Sequence, residues 1–200
     1  MPKAKCNDIN ICYEVQGKGT PLAMIMGLSA NMDWWDPNLI SQVSKKYKTV
    51  TFDNRGAGRT DAPKIDYSIK MFADDTAKLL DSLKIEKAHI LGISMGGMIA
   101  QEFALAYPER VEKLVLCSTN CGTSQSVPPV PKVLNILSGW TSETSDEMTK
   151  NIISILFTDD FIKSNPVYMK SVTEQISKAP ITPDAFMRQV NAIMAWDSYA

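Results

Sequence analysis

One serine in this chain sits where its hydroxyl can be made to react. Ser94 is the centre of Gly92-Ile93-Ser94-Met95-Gly96, preceded by the apolar run His89-Ile90-Leu91 and followed by Met98, Ile99, Phe103 and Ala106 at helical spacing up to Pro108. Strand, sharp turn and helix in that order make a G-x-S-x-G sequence a nucleophile elbow. The serine of such a turn takes a strained backbone conformation, and the residues two before and two after it come so close that side chains would collide. Gly92 and Gly96 meet that need. Ser94 is then exposed at the carboxyl end of the strand and at the positive end of the next helix, where developing negative charge is stabilised. Two glycines around a serine can also be an ordinary turn, but the strand and helix on either side favour the elbow.

A serine hydroxyl is a weak nucleophile until a base takes its proton. The single histidine, His89, lies five residues before Ser94 on the same strand. At roughly 3.3 Å per residue that is about 16 Å away, and the odd offset puts it on the opposite face. A base needs hydrogen-bond reach, so His89 reads as a structural residue at the entry to a strand.

Other chemistries fit less well. A phosphate loop requires G-K-[ST] opening the helix, and here the glycines run into Met98 and Ile99. Gly56-Ala57-Gly58 begins like a dinucleotide motif, but Asp61 holds the third glycine position, no helix period starts there and Pro63 follows. No cofactor is expected. The four cysteines, Cys6, Cys12, Cys117 and Cys121, lack C-x-x-C spacing and read as buried or free thiols, with no metal site of the Cys/His type.

The elements that must position Ser94 follow from pattern. Two strand-like runs flank a turn at Asn7-Asp8, and Leu22 to Met26 is a continuous apolar strand ending at Gly27-Leu28-Ser29-Ala30. Asp36-Pro37 starts a helix expected to carry Leu39, Ile40 and Val43 on one side, before a strand from Lys48 to Phe52. Ser68 caps an amphipathic helix whose face is Ile69, Phe72, Thr76, Leu79, Leu80 and Leu83. The elbow unit and a strand from Val111 to Cys117 complete the alternation, so a doubly wound, mostly parallel α/β sheet is expected over residues 1–118. After Ser118 come a Ser/Thr/Pro/Gly-rich stretch, Thr119 to Pro131, and helix-period segments at Val133–Leu137, Glu143–Phe157, Val167–Ile176 and Pro183–Trp196. Residues 119–200 are therefore expected to form an all-helical cap over the carboxyl edge of the sheet, with Trp140, Met148, Phe157 and Met187 as candidates to line an apolar pocket.

Two hundred residues suffice for one domain with a small appendage, and 21 basic against 22 acidic side chains point to no nucleic-acid partner. No transmembrane run and no signal-peptide segment are read, so no membrane partner and a cytoplasmic setting are expected.

In its middle the chain resembles the α/β-hydrolase superfamily, in particular small esterase, enol-lactonase and perhydrolase-like members. The resemblance rests on Phe52-Asp53-Asn54-Arg55-Gly56-Ala57-Gly58-Arg59-Thr60-Asp61, on His89 through Gly97, and on Tyr107-Pro108-Glu109-Arg110-Val111 leading into Leu114-Val115-Leu116. It implies that Ser94 is the nucleophile and that the backbone amides of Leu28 and Met95 form the oxyanion hole. Met26 stands where many relatives have histidine. Serine at the elbow, where dehalogenase and epoxide hydrolase relatives use aspartate, favours acyl transfer to water and a small ester or lactone substrate. The resemblance also implies a late Asp and His that these residues do not supply. Asp159, Asp160, Asp184 and Asp197 end no strand and read as solvated helix charges. The expectation is an amino-terminal portion, lacking the last strands and inactive alone, that forms a homo-oligomer or binds a complementing carboxyl-terminal segment. The alternative is a non-catalytic binding or assembly module with a vestigial elbow.

Overall fold

A computed structural model describes residues 1–199 apart from 123, 132, 135 and 137–144, with the side chains of 145, 146 and 148 outside the description. β1 (Lys3–Cys6) and β2 (Ile9–Gln16) form an antiparallel hairpin whose turn puts Asn7 at φ 52°, a left-handed conformation that asparagine tolerates better than most residues. β3 (Thr20–Ile25), β4 (Tyr47–Phe52), β5 (Ala88–Ile93) and β6 (Val111–Cys117) are parallel to one another, and the sheet order is β1-β2-β4-β3-β5-β6. β2 joins β4 antiparallel, so the parallel sheet carries the hairpin at one edge.

Both faces of the centre are covered. Ala23 and Ile25 of β3 enter a cluster with Phe52, Phe72, Leu79, Ile99 and Phe103, while Leu22 and Met24 enter another with Cys12, Trp35 and Ile40. The first cluster is built by α2 (Ile69–Ser82) and α3 (Met95–Ala106); α2 is capped by the Ser68 hydroxyl, which accepts from Met71 N. α1 (Pro37–Val43) begins at Asp36, whose carboxylate accepts from the amides of Asn38 and Leu39. Ile40 is buried there and Val43 half-buried, but Leu39 is exposed. Consecutive helix residues stand about 100° apart, and here Ile40 packs on the β3 cluster while Leu39, a step round the helix, faces solvent.

Beyond β6 the described elements are helical: α4 (Ser145–Leu156), α5 (Asp159–Ser164), α6 (Pro166–Ile176) and α7 (Pro183–Met194). α5, six residues long, is too short to show a period and was not expected from the pattern. The segment Val133–Leu137 lies in part outside the described residues, as does Trp140 and the side chain of Met148. A third apolar cluster, with Ile152, Ile176, Ile181 and Phe186, takes in Leu28 and Trp34 and so seats the helices on the loops at the carboxyl end of the sheet.

Asp159 and Asp160 are exposed in the first turn of α5, and Asp184 pairs with Arg188 on α7 at 2.9 Å. Asp197 departs from the solvated helix charge expected of it. It follows α7, and its carboxylate accepts from Ser124 N and Tyr199 N, each at 2.9 Å; the bond to Ser124 is the main reason its pKa lies below the usual carboxylate value. Gly122 bridges Asp197, and Ser198 donates to the Cys121 carbonyl through both its amide and its hydroxyl. The two ends of the helical segment thus meet at one neck.

Among the described residues β6 has a strand on one side only, and Leu114, Val115 and Leu116 are 38%, 43% and 43% exposed. Unpaired main-chain groups beside apolar side chains invite pairing with another chain. The chain purified alone is expected to self-associate at micromolar concentration in light scattering. A monomer whose amides from 111 to 117 resist hydrogen exchange would contradict that expectation.

Candidate active site

Ser94 closes β5 and opens α3. Its amide donates to the Cys117 carbonyl at 2.9 Å, continuing the ladder with β6, while its own carbonyl accepts from Gly97 N and from the Thr119 hydroxyl, each at 2.8 Å. Between these anchors the backbone stands at φ 55°, ψ −123°. Holding a non-glycine residue there costs on the order of 1–3 kcal/mol and needs restraint from its surroundings. A side chain on Gly92 would overlap the Gly96 carbonyl, and one on Gly96 would overlap the Ile25 carbonyl, so both positions are closed by backbone. The Ser94 side chain makes no cap hydrogen bond and is exposed. Met95, fully buried, is the first residue of α3, and a helix offers no earlier carbonyl to its amide.

The loop after β3 forms the facing wall. A Cβ added to Gly27 would stand 3.0 Å from Ser94 Cβ and 3.5 Å from its Oγ, so Gly27-Leu28 passes directly beside the serine. Asn54 Nδ2 donates to the Met26 carbonyl at 2.9 Å, Asp53 Oδ1 accepts from Met32 N at 2.8 Å, and Gln189 Oε1 accepts from Ser29 N at 2.9 Å. Asp53 is wholly buried and also accepts from Arg59 N at 2.7 Å; burial pushes its carboxyl above the usual range against the pull of these two amides. The Asp53–Asp61 loop is therefore a brace for the 26–32 loop. Arg55 points away from the serine, making paired hydrogen bonds to Asp75 and to Asp8.

Above Ser94, Gly27 and Leu28 lies a cavity of about 360 Å³. Met26, Trp34 and Ile93 line it from the sheet side, and Val133, Ile152, Ile155 and Leu156 from the helical segment. Residues 152, 155 and 156 share one face of α4 by their spacing. Of the aromatic and methionine candidates, the two whose side chains are described, Phe157 and Met187, do not line it. Phe157 borders a separate cleft with Tyr168 and Asp36, and Met187 packs against the cluster around Phe186. What could have identified the lining is the aliphatic stripe of α4 rather than its bulkiest residues.

The structure thus brings Ser94, Leu28, Met95, Gly92 and Gly96 to one place. His89 remains apart: it pairs with Leu22 near the start of β5, its ring edge-on to Tyr47 at 5.5 Å. Among the described residues no group of three or more His, Cys, Asp or Glu is arranged to hold a metal ion. Gln189 is the site residue that sequence reasoning missed.

A mixed sheet in this order, with a strained serine between strand and helix under a helical roof, defines a class. Residues 20–150 match the family model for the alpha/beta hydrolase fold, and the chain belongs to that family. It is 35% identical over 116 residues to a protein of Azorhizobium caulinodans whose name reads "Putative carbamate hydrolase RutD", a match covering 58% of this chain and 43% of that one. Over 115 residues it is 38% identical to a poly(3-hydroxyalkanoate) depolymerase of Ectopseudomonas oleovorans, covering 58% and 40%. These matches therefore span less than half the length of either relative. The solved enol-lactonase of Burkholderia xenovorans LB400 superposes with a TM-score of 0.84 at 24% identity, covering 98% of this chain and 75% of that one, a likeness of fold.

Proposed function

We propose that the chain carries the nucleophile and oxyanion hole of a serine hydrolase for a small carboxylic ester or lactone. In this reading Ser94 Oγ attacks the substrate carbonyl, the amides of Leu28 and Met95 hold the resulting oxyanion, and water releases the acyl group. The observation that carries it is the exposed Ser94 on a strained turn beside Gly27-Leu28 at the base of an apolar cavity. The cavity favours an apolar acyl group. Residues 119–200 act as the cap that provides its roof. Carbamates and polyesters, the substrates named for the two relatives, both offer a carbonyl to such a serine. Four unpaired thiols suit a cytoplasmic setting.

The base is the piece His89 cannot provide, standing near the opposite end of β5. It and its orienting carboxylate come, in this reading, from outside the 200 residues. The chain alone is then expected to turn over p-nitrophenyl butyrate barely above background at neutral pH. Robust turnover that disappears in Ser94→Ala would sink the external base. The missing base also favours a second reading, a binding or assembly module with an inherited elbow. Diethyl p-nitrophenyl phosphate at raised pH separates the two, because hydroxide can take the proton that the base would take. Stoichiometric p-nitrophenolate release, lost in Ser94→Ala, is expected of the hydrolase and not of the module.

A further inference from the structure

Gln189 lies in the middle of α7, and its side chain is fully buried. A glutamine so placed must find partners for both ends of its amide. It finds them outside its own helix: Oε1 accepts from Ser29 N at 2.9 Å, and Nε2 donates to the Arg55 carbonyl at 3.0 Å. The amide fits in one orientation only, since reversing it would face two donors together and two acceptors together. Ser29 itself stands at φ 63°, left-handed for a non-glycine residue, and needs restraint.

The loop's peptides show what is being held. Asn54 fixes the Met26 carbonyl, hence the Met26–Gly27 peptide, and Gln189 fixes the Leu28–Ser29 peptide. Between them lies one peptide, Gly27–Leu28, which carries the Leu28 N–H and whose only described bond is a long one, its carbonyl accepting from Ala30 N at 3.3 Å within the same loop. We propose that Gln189 is a positioning residue that sets the direction of the Leu28 amide from the helical segment, so that seating α7 and assembling the oxyanion hole are one event. The catalytic half of this statement rests on the serine-hydrolase reading above. Gln189 touches neither Ser94 nor the cavity over it among the described contacts.

The test compares wild type, Ser94→Ala, Gln189→Leu and Gln189→Glu in the 200-residue chain. Two signals are read: the rate of p-nitrophenolate release from diethyl p-nitrophenyl phosphate, and the exchange rate of the Ser29 amide. In the release step Ser94 Oγ bonds to phosphorus, p-nitrophenolate leaves and hydroxide takes the serine proton. Gln189→Leu is expected to slow release by about tenfold to a hundredfold, as small misplacements of a reacting site do, and to speed Ser29 exchange while amides of β5 keep their protection. In Gln189→Glu the protonated carboxyl can both accept from Ser29 and donate to Arg55, whereas the carboxylate cannot donate. Its rate relative to wild type should therefore fall between about pH 6 and about pH 10, a dependence that a space-filling role would not produce.

Release from Gln189→Leu within twofold of wild type would overturn the positioning role. Release that is absent from wild type, or that survives in Ser94→Ala, would instead overturn the serine reading. Ser29 exchange then judges the latch alone: equal rates in wild type and Gln189→Leu would dismiss it, and faster exchange in the leucine variant would uphold it.

Discussion

Arg55→Leu is expected to lower the unfolding free energy by about 3–5 kcal/mol, because it leaves a buried carboxylate without its cation. The Arg55 side chain is 1% exposed and that of Asp75 3%, and Nε and Nη2 of the arginine reach both oxygens of Asp75 at 2.7 and 2.8 Å. Asp8 takes the outer edge of the guanidinium at 3.0 and 2.7 Å but is 51% exposed, so water can replace that half. Asn7 Nδ2 donates to Asp75 at 2.9 Å and is too little to hold the charge alone. The pair ties the loop after β4 to α2 and to the β1–β2 turn. Urea unfolding measures the effect, and Arg55→Leu combined with Asp75→Leu should recover most of the loss, since removing both charges removes the desolvation penalty. A single variant that unfolds at the wild-type urea concentration would show that Asp75 is already neutral or hydrated.

Gly96→Ala is expected to cost at least about 1–3 kcal/mol of stability by overpacking and to slow phosphorylation of Ser94 by about a hundredfold. The added methyl would meet the carbonyl oxygens of Ile25 and Met26, main-chain atoms in and just past a central strand that cannot step aside. To make room α3 must lift, which carries Met95 and its amide away from the serine. Leu105→Ala is the control, because Leu105 lies on the same helix and is 66% exposed. Urea midpoints and p-nitrophenolate release on the two variants decide the matter: a Gly96→Ala variant that behaves like this control would mean that the elbow has slack the structure does not show.

What was legible in the sequence is what its neighbours in the chain determine. The elbow is a local arrangement of two glycines, a serine and a change of period, and the Asn7-Asp8 turn and the Ser68 cap are local too. The Leu28 amide could be named only through family resemblance, since its place beside Ser94 depends on the pairing of β3 with β5. Gln189 left no trace, because its two partners lie 160 and 134 residues earlier in the chain and a mid-helix glutamine ordinarily faces water. Two of the pocket candidates, Phe157 and Met187, stand away from the cavity for a related reason. Large aromatic residues suggest a pocket by size, whereas Phe157, just past the end of α4, packs with Phe161 and Tyr168, and smaller aliphatic side chains of α4 line the cavity.

The neck at which Cys121 and Gly122 meet Asp197 and Ser198 has a consequence for how such a protein can diversify. A segment whose two ends lie a hydrogen bond apart can be lengthened, shortened or grafted without altering the register of the strands. Doubling a flexible loop closed in this way adds only about 0.6 kcal/mol of closure entropy. The side chains that roof the cavity can therefore change while the elbow stays constant. The exchange has one condition: a transplanted segment must bring its own partner for Ser29 N and the Arg55 carbonyl, or the new roof will arrive over a loosened 26–32 loop.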